Sequence, residues 1–230
     1  MGFILSAIEN VKDFFSSILN KIRERSNAWN EHRQRVRERS DYIRQIEQFE
    51  STYCPEVPDQ KLALQVRQYL EEKFPNGIEE RLSQMSVDEL PDFFMEIEKE
   101  AEEIMDVTTE ETVIVYPTTE EENMKYGCGF YNRKDNLLCI NGVYLYSGDT
   151  ELIKEQIFTI FHELKHARQW AAIEDRKDYG YSEELIQVWE QNMRNYISPY
   201  ESDEAYRKQP VELDTFGFEE RLKEGYYTNN

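Results

Sequence analysis

Two histidines and a glutamate interrupt an otherwise apolar helical run, and that interruption constrains this chain more than any other feature. The segment Phe161-His162-Glu163-Leu164-Lys165-His166 holds two of the three histidines in the sequence. Around it, Ile157, Ile160, Phe161, Leu164 and Ala167 mark a core helix. Helical residues four apart lie one above the other, so both imidazoles reach a single ion. On a solvated face the same three residues would need only water and acidic neighbours. Inside a core they are costly to bury without a metal or polar partners. His162 and His166 are therefore read as metal ligands, with Glu163 as a base beside them.

Such a site needs a third protein ligand and an open position. His32 sits in a distant basic segment, so a carboxylate fits better. The stretch Tyr206-Arg-Lys-Gln-Pro210-Val-Glu212-Leu-Asp214-Thr-Phe216-Gly-Phe218 supplies one, on a helix beginning at Pro210. HExxH followed on a later helix by a glutamate resembles the gluzincin-type metallopeptidases. Pro-x-Glu-x-Asp with a phenylalanine six residues after the glutamate is similar to the ImmA/IrrE-type peptidases and related small zincins of phages and mobile elements. The resemblance covers residues 112–223. It implies that His162, His166 and Glu212 hold Zn2+, that Glu163 is the general base, and that Asp214 orients a histidine ring. Two features depart from it. Thr215 and Gly217 stand where the family usually has alanine, and the 45 residues between His166 and Glu212 make a long gap.

That ligand set implies hydrolysis. Zinc lowers the pKa of a water toward about 7, Glu163 takes its proton as it attacks a carbonyl, and the proton passes to the leaving amine. Tyr206, close to Glu212 in sequence, is the candidate donor to the oxyanion, although with 15 tyrosines present plain packing is the simpler role. A strand at Leu137–Ile140, if at a sheet edge, would hold an extended peptide. The expected activity is that of a zinc metallopeptidase acting on protein or peptide. Two alternatives stand beside it. One is a non-peptidase zinc amidase of deformylase type, with Cys128 or Cys139 as third ligand, although Tyr126-Gly-Cys-Gly-Phe130 does not match that motif. The other is a scaffold or interaction protein working through its N-terminal helix.

The first 50 residues read differently. Ile8, Phe15, Ile22, Trp29, Val36 and Ile43 recur every seven positions, which predicts a long helix. A second row (Ile4, Val11, Ile18, Arg25, His32, Arg39, Ile46) turns polar in its middle, which weakens a two-stranded self-paired coil. Residues 1–50 would serve self-association, docking on the chain's own domain or peripheral membrane contact. Met1–Ser6 matches a myristoylation pattern, and residues 3–22 have the composition of an interfacial helix. Pro55 and Pro58 mark the boundary, giving domains 1–50 and 51–230.

Within 51–230 the pattern predicts an α+β zincin-like domain with a small, mainly antiparallel sheet. Helices are expected over 59–74 with Asp59 as N-cap, from the Ser86–Glu89 capping box to Met105, from Thr150 past Trp170, over 182–196 and from Pro210. Strands are expected at 112–116, 130–131, 137–140 and 143–146.

Charge narrows the partners. The net charge is −20, and residues 51–230 carry 39 Asp/Glu against 18 Lys/Arg. Such a body repels phosphate backbones, so nucleic acid is not expected. Three cysteines without a close pair, no secretory signal and no membrane-length apolar run point to a cytoplasmic setting, with the thiols buried. A chain beginning at Ser51 should keep its zinc and still cut a short peptide that the full chain cuts. It should also change elution on a sizing column or stop sedimenting with liposomes. Release of the metal on truncation would place the helix in the core and move the boundary.

Overall fold

A computed structural model describes Glu31 and residues 33–229; side chains of 124–126 and 225–229 are not described. The chain divides into two compact units, Met1–Phe49 and Glu50–Asn230. In the first unit, residues 33–49 are helical, within a helix that ends at residue 52 (α1). Val36 of the apolar seam is 51% exposed. Ile8, Phe15, Ile22 and Trp29, the Met1–Ser6 motif, the 3–22 segment and His32 lie outside the described residues.

The second unit is α+β. Its helices are α2 (Val57–Lys73), α3 (Ile78–Ser83), α4 (Leu90–Met105), α5 (Glu120–Tyr126), α6 (Gly142–Leu145), α7 (Thr150–Glu174), α8 (Glu183–Arg194), α9 (Asp203–Lys208) and α10 (Pro210–Asn229). Three strands, β1 (Glu111–Val115), β2 (Gly129–Asn132) and β3 (Leu137–Asn141), form a sheet in the order β1-β3-β2. The sheet is mixed rather than mainly antiparallel. β2 and β3 make the expected hairpin, with Gly129 opposite Ile140, whereas β1 returns through α5 and the hairpin to pair with β3 in parallel, Glu111 opposite Leu137.

Residues 143–146, read as a strand from Val143 and two tyrosines, belong instead to helix α6 and its C-cap. The Asn141 carboxamide accepts the Val143 N–H at 3.0 Å, capping a helical turn where the strand ends. Ser86 does start a capping box: its N–H and hydroxyl both donate to Glu89, at 2.8 and 2.7 Å, ahead of a short 3-10 turn that leads into α4. Asp59 is not a cap. Helix α2 begins at Val57, and Asp59 lies wholly buried in its first turn.

Helix α7 is the central element. The Asp149 carboxylate accepts the Glu151 and Leu152 N–H groups and starts it. Phe158, Phe161 and Leu164 then pack with Val66 and Leu70 of α2, Phe94, Ile97 and Met105 of α4, and Phe218 and Leu222 of α10. Burying each such side chain stabilises the fold by about 1.5–3 kcal/mol. No helix among the described residues is long and apolar enough to cross a membrane.

A dry ionic cluster holds the helices in register. Lys165 is fully buried, and its ammonium contacts Asp59 at 2.8 Å and Asp214 at 2.7 Å. Tyr181 donates to Asp59 at 2.6 Å, and Tyr53 donates to Asp214. Burial and the Asp214 charge push the Asp59 carboxyl up; Lys165 holds Asp214 down against its own burial. Removing one partner of a buried pair leaves uncompensated charge in the core, so Lys165→Met should lower stability by about 3–5 kcal/mol in urea unfolding. Lys208→Ala, which breaks exposed pairs with Glu50 and Glu204, should leave the midpoint unmoved.

Candidate metal centre

His162 and His166 occupy successive turns of α7 on the face toward α10, with ring centroids 5.1 Å apart. Helix α10 opens at Pro210, where the missing N–H costs nothing, and its first turn carries Glu212 to them. One nitrogen of each imidazole and one Glu212 oxygen all lie within 4.8 Å of one another. Glu212 Oε2 stands 3.8 Å from His162 Nε2, and Oε1 stands 3.5 Å from His166 Nε2. Glu212 is 1% exposed, and its Oε2 is buried without a hydrogen-bond partner. A buried carboxylate with one oxygen toward each imidazole, and one of the two unpartnered, fits a divalent cation that accepts N and O ligands.

The far ring nitrogens are also engaged, as is usual for metal-ligating histidines. His162 Nδ1 lies 2.7 Å from Glu219 Oε2, and Lys223 bonds the other Glu219 oxygen at 2.6 Å. His166 Nδ1 lies 2.9 Å from Gln169 Oε1. The Gln169 amide donates to Asp214 Oδ2 at 3.0 Å. Asp214 thus reaches a histidine ring only through Gln169; its other direct partners are Lys165 and Tyr53. Glu219 carries the contact that was expected of Asp214. Its position, seven residues after Glu212 and so two turns along the same face, was a usable signal.

Glu163 points toward the sheet. It is 8% exposed, and its Oε2 accepts the Tyr131 N–H of β2 at 2.8 Å. Burial pushes its carboxyl up, against the opposing pull of His162 and His166. Tyr206 is mostly buried near Glu212, with its ring edge-on to Phe216 at 6.1 Å and to Tyr196 at 6.2 Å. The phenol that donates to Glu212 Oε1, at 2.6 Å, is that of Tyr196, which nothing in the sequence distinguished from the other tyrosines. Burial and the Glu212 charge hold both phenols protonated far above neutrality.

Among the described residues neither Cys128 nor Cys139 joins the cluster. All three cysteines are free, and only Cys139 is buried; Cys54 is exposed. No family model, no curated protein and no solved structure matches the chain.

Without metal, the surrounding carboxylates raise the pKa of both imidazoles against their burial. Burial pulls the His162 pKa down, but the adjacent Glu212 and Glu219 carboxylates outweigh it and raise it from 6.5 to about 10. Burial opposes ionisation of Glu212 and Glu219 too, yet the histidines hold both below the usual 4.5. A raised histidine pKa contributes stability that is complete below its unfolded value and lost as pH climbs to the folded one. Depressed carboxyl pKa values contribute stability present above the unfolded value and lost as pH falls through the folded ones. The chelated chain should therefore lose thermal stability from pH about 6.5 toward 10, and separately below pH about 4.5. Glu219→Gln should shrink the alkaline loss; an unchanged alkaline limb would show that His162 does not carry it.

Proposed function

We propose that this chain is a zinc-dependent metallopeptidase of the gluzincin-like, HExxH type. The observation carrying this reading is the convergence of His162, His166 and Glu212, whose buried Oε2 has no partner, with Glu163 beside the two histidines on their helix. Those three residues would hold the ion, which when bound supplies Lewis acidity toward a carbonyl and acidifies water.

The chain's own residues supply the rest. Glu163 accepts the proton of the attacking water and returns it to the leaving nitrogen, so the carbonyl carbon gains oxygen as its bond to nitrogen breaks. The Tyr131 hydrogen bond orients the Glu163 carboxylate for this. Glu219 and Gln169 fix the two ring orientations. Tyr206 is near enough to the ligand carboxylate to serve as the oxyanion donor. Leu137–Ile140, expected as an edge, lies in the central strand β3; among the described residues β2 pairs only with β3, and it is the strand whose backbone meets Glu163. An extended peptide added along that edge would lie beside the base, which makes peptide the natural substrate.

The purified chain should hold about one zinc, and His162→Ala, His166→Ala and Glu212→Ala should each strip it. Glu163→Gln removes a proton acceptor but no ligand. It should keep the metal while hydrolysis of a quenched-fluorescence peptide library falls by about 10² to 10⁴. Undiminished turnover in Glu163→Gln would eliminate the mechanism, and unchanged zinc in Glu212→Ala would remove Glu212 from the ligand set.

A further inference from the structure

The two oxygens of Glu212 are held unequally. Oε1 accepts the Tyr196 hydroxyl at 2.6 Å, whereas Oε2 is buried and has no hydrogen-bond partner. A carboxylate can offer a metal one oxygen or two, and the difference decides what kind of site results. Two imidazoles with one carboxylate oxygen make three ligands and leave a fourth tetrahedral position open. Two imidazoles with both oxygens make four and close the site, as in structural zinc centres.

Resting on the metallopeptidase reading above, we propose that Tyr196 is a positioning residue that keeps Glu212 a one-oxygen ligand, through Oε2, and so keeps the fourth position open. The placement of Tyr196 is built rather than incidental. Gln209, fully buried just before α10, accepts the Ile197 N–H at 3.0 Å and donates to the Ile197 carbonyl at 2.8 Å. It also accepts from Asn192 of α8 at 2.9 Å, and Asn192 accepts the Val211 N–H at 3.0 Å. The backbone after Tyr196 is thereby tied to the first turn of the helix that carries Glu212. Tyr196 itself is 40% exposed, yet its hydroxyl turns inward to the carboxylate.

The full chain is loaded with Co2+ in place of zinc, and the visible cobalt bands and the affinity for acetohydroxamate are compared between wild type and Tyr196→Phe. The variant keeps the ring and loses only the donor. With Oε1 released to the ion in place of water, the bands should shift in position and intensity as the donor set changes. Acetohydroxamate, which needs the open position, should bind about tenfold or more weakly. Bands and hydroxamate affinity equal to wild type would overturn the proposal and leave the metal site standing. Loss of cobalt from the variant alone would also overturn it, since the phenol would then secure the metal rather than its open position. A wild-type chain that takes up no Co2+ would remove the metallopeptidase reading and this proposal together.

Discussion

A single ammonium group, that of Lys165, stands at the junction on which the candidate site depends. It lies within the HExxH segment, one residue before His166, and faces away from the open side of the site into the core. There it bonds Asp59 of α2 and Asp214 of α10. A charge of this kind is tolerated in a dry interior only when paired and hydrogen-bonded, so those partners cannot drift. Asp214 sits two residues after Glu212 on α10. Fixing Asp214 on α7 therefore fixes the rotation and height of the helix that brings Glu212 to the histidines. Gln169 extends the arrangement, donating to Asp214 and meeting the His166 ring. The neighbours of the candidate site thus double as the register of the fold.

Around the histidines the chain has placed an excess of carboxylates. Glu163 and Glu212 bear on both imidazoles and Glu219 on that of His162, with Lys223 as the nearby cation paired to Glu219. Without a metal, the proton held on His162 up to about pH 10 partly offsets that excess. A bound divalent cation would offset it more fully and would have to displace the protons, which would couple uptake to pH. This local balance has little to do with the net charge of −20, which is spread over a solvated surface and bears on solubility and partners rather than on the fold.

The parts of this architecture readable in the sequence are those with strong periodicity or a chemical signature. Helices α4, α7, α8 and α10 follow from spacing, caps and Pro210, and the β2–β3 hairpin from apolar runs flanking Asn132–Asp135. The His162, His166 and Glu212 grouping was readable because HExxH places two imidazoles one turn apart on a helix and Pro210 announces the helix that carries Glu212. Short elements were not: α3, α5 and α9 each span seven residues or fewer, too few for a period to register. Helix α6 was mistaken for a strand because its aromatic and β-branched residues favour one, and a single Asn141 hydrogen bond reversed the preference. Asp59 was misread for a different reason. An acidic residue after a proline ordinarily caps a helix in water; only tertiary contact with Lys165 shows that it is buried. Tyr196 was beyond reach, since its role depends on a loop tied down by Gln209.

Glu163 is where helix and sheet meet, and the geometry there turns on an atom that is absent. Tyr131 donates its N–H to the Glu163 carboxylate, which requires β2 to run close over α7. At Gly129, two residues earlier in β2, a Cβ would come within 2.5 Å of the Cys139 carbonyl oxygen and 3.0 Å of the Thr159 methyl. Any larger residue would push β2 away from β3 and α7 together. Glycine costs a strand entropy and side-chain packing, so its use in a four-residue strand calls for a reason. The close approach supplies one. It lets the strand lie against the helix at Thr159, one turn before Glu163, and the following residues then arrive with a backbone donor in reach of the carboxylate. The orientation of the candidate base is therefore set as much by a missing side chain in the sheet as by the helix that carries it.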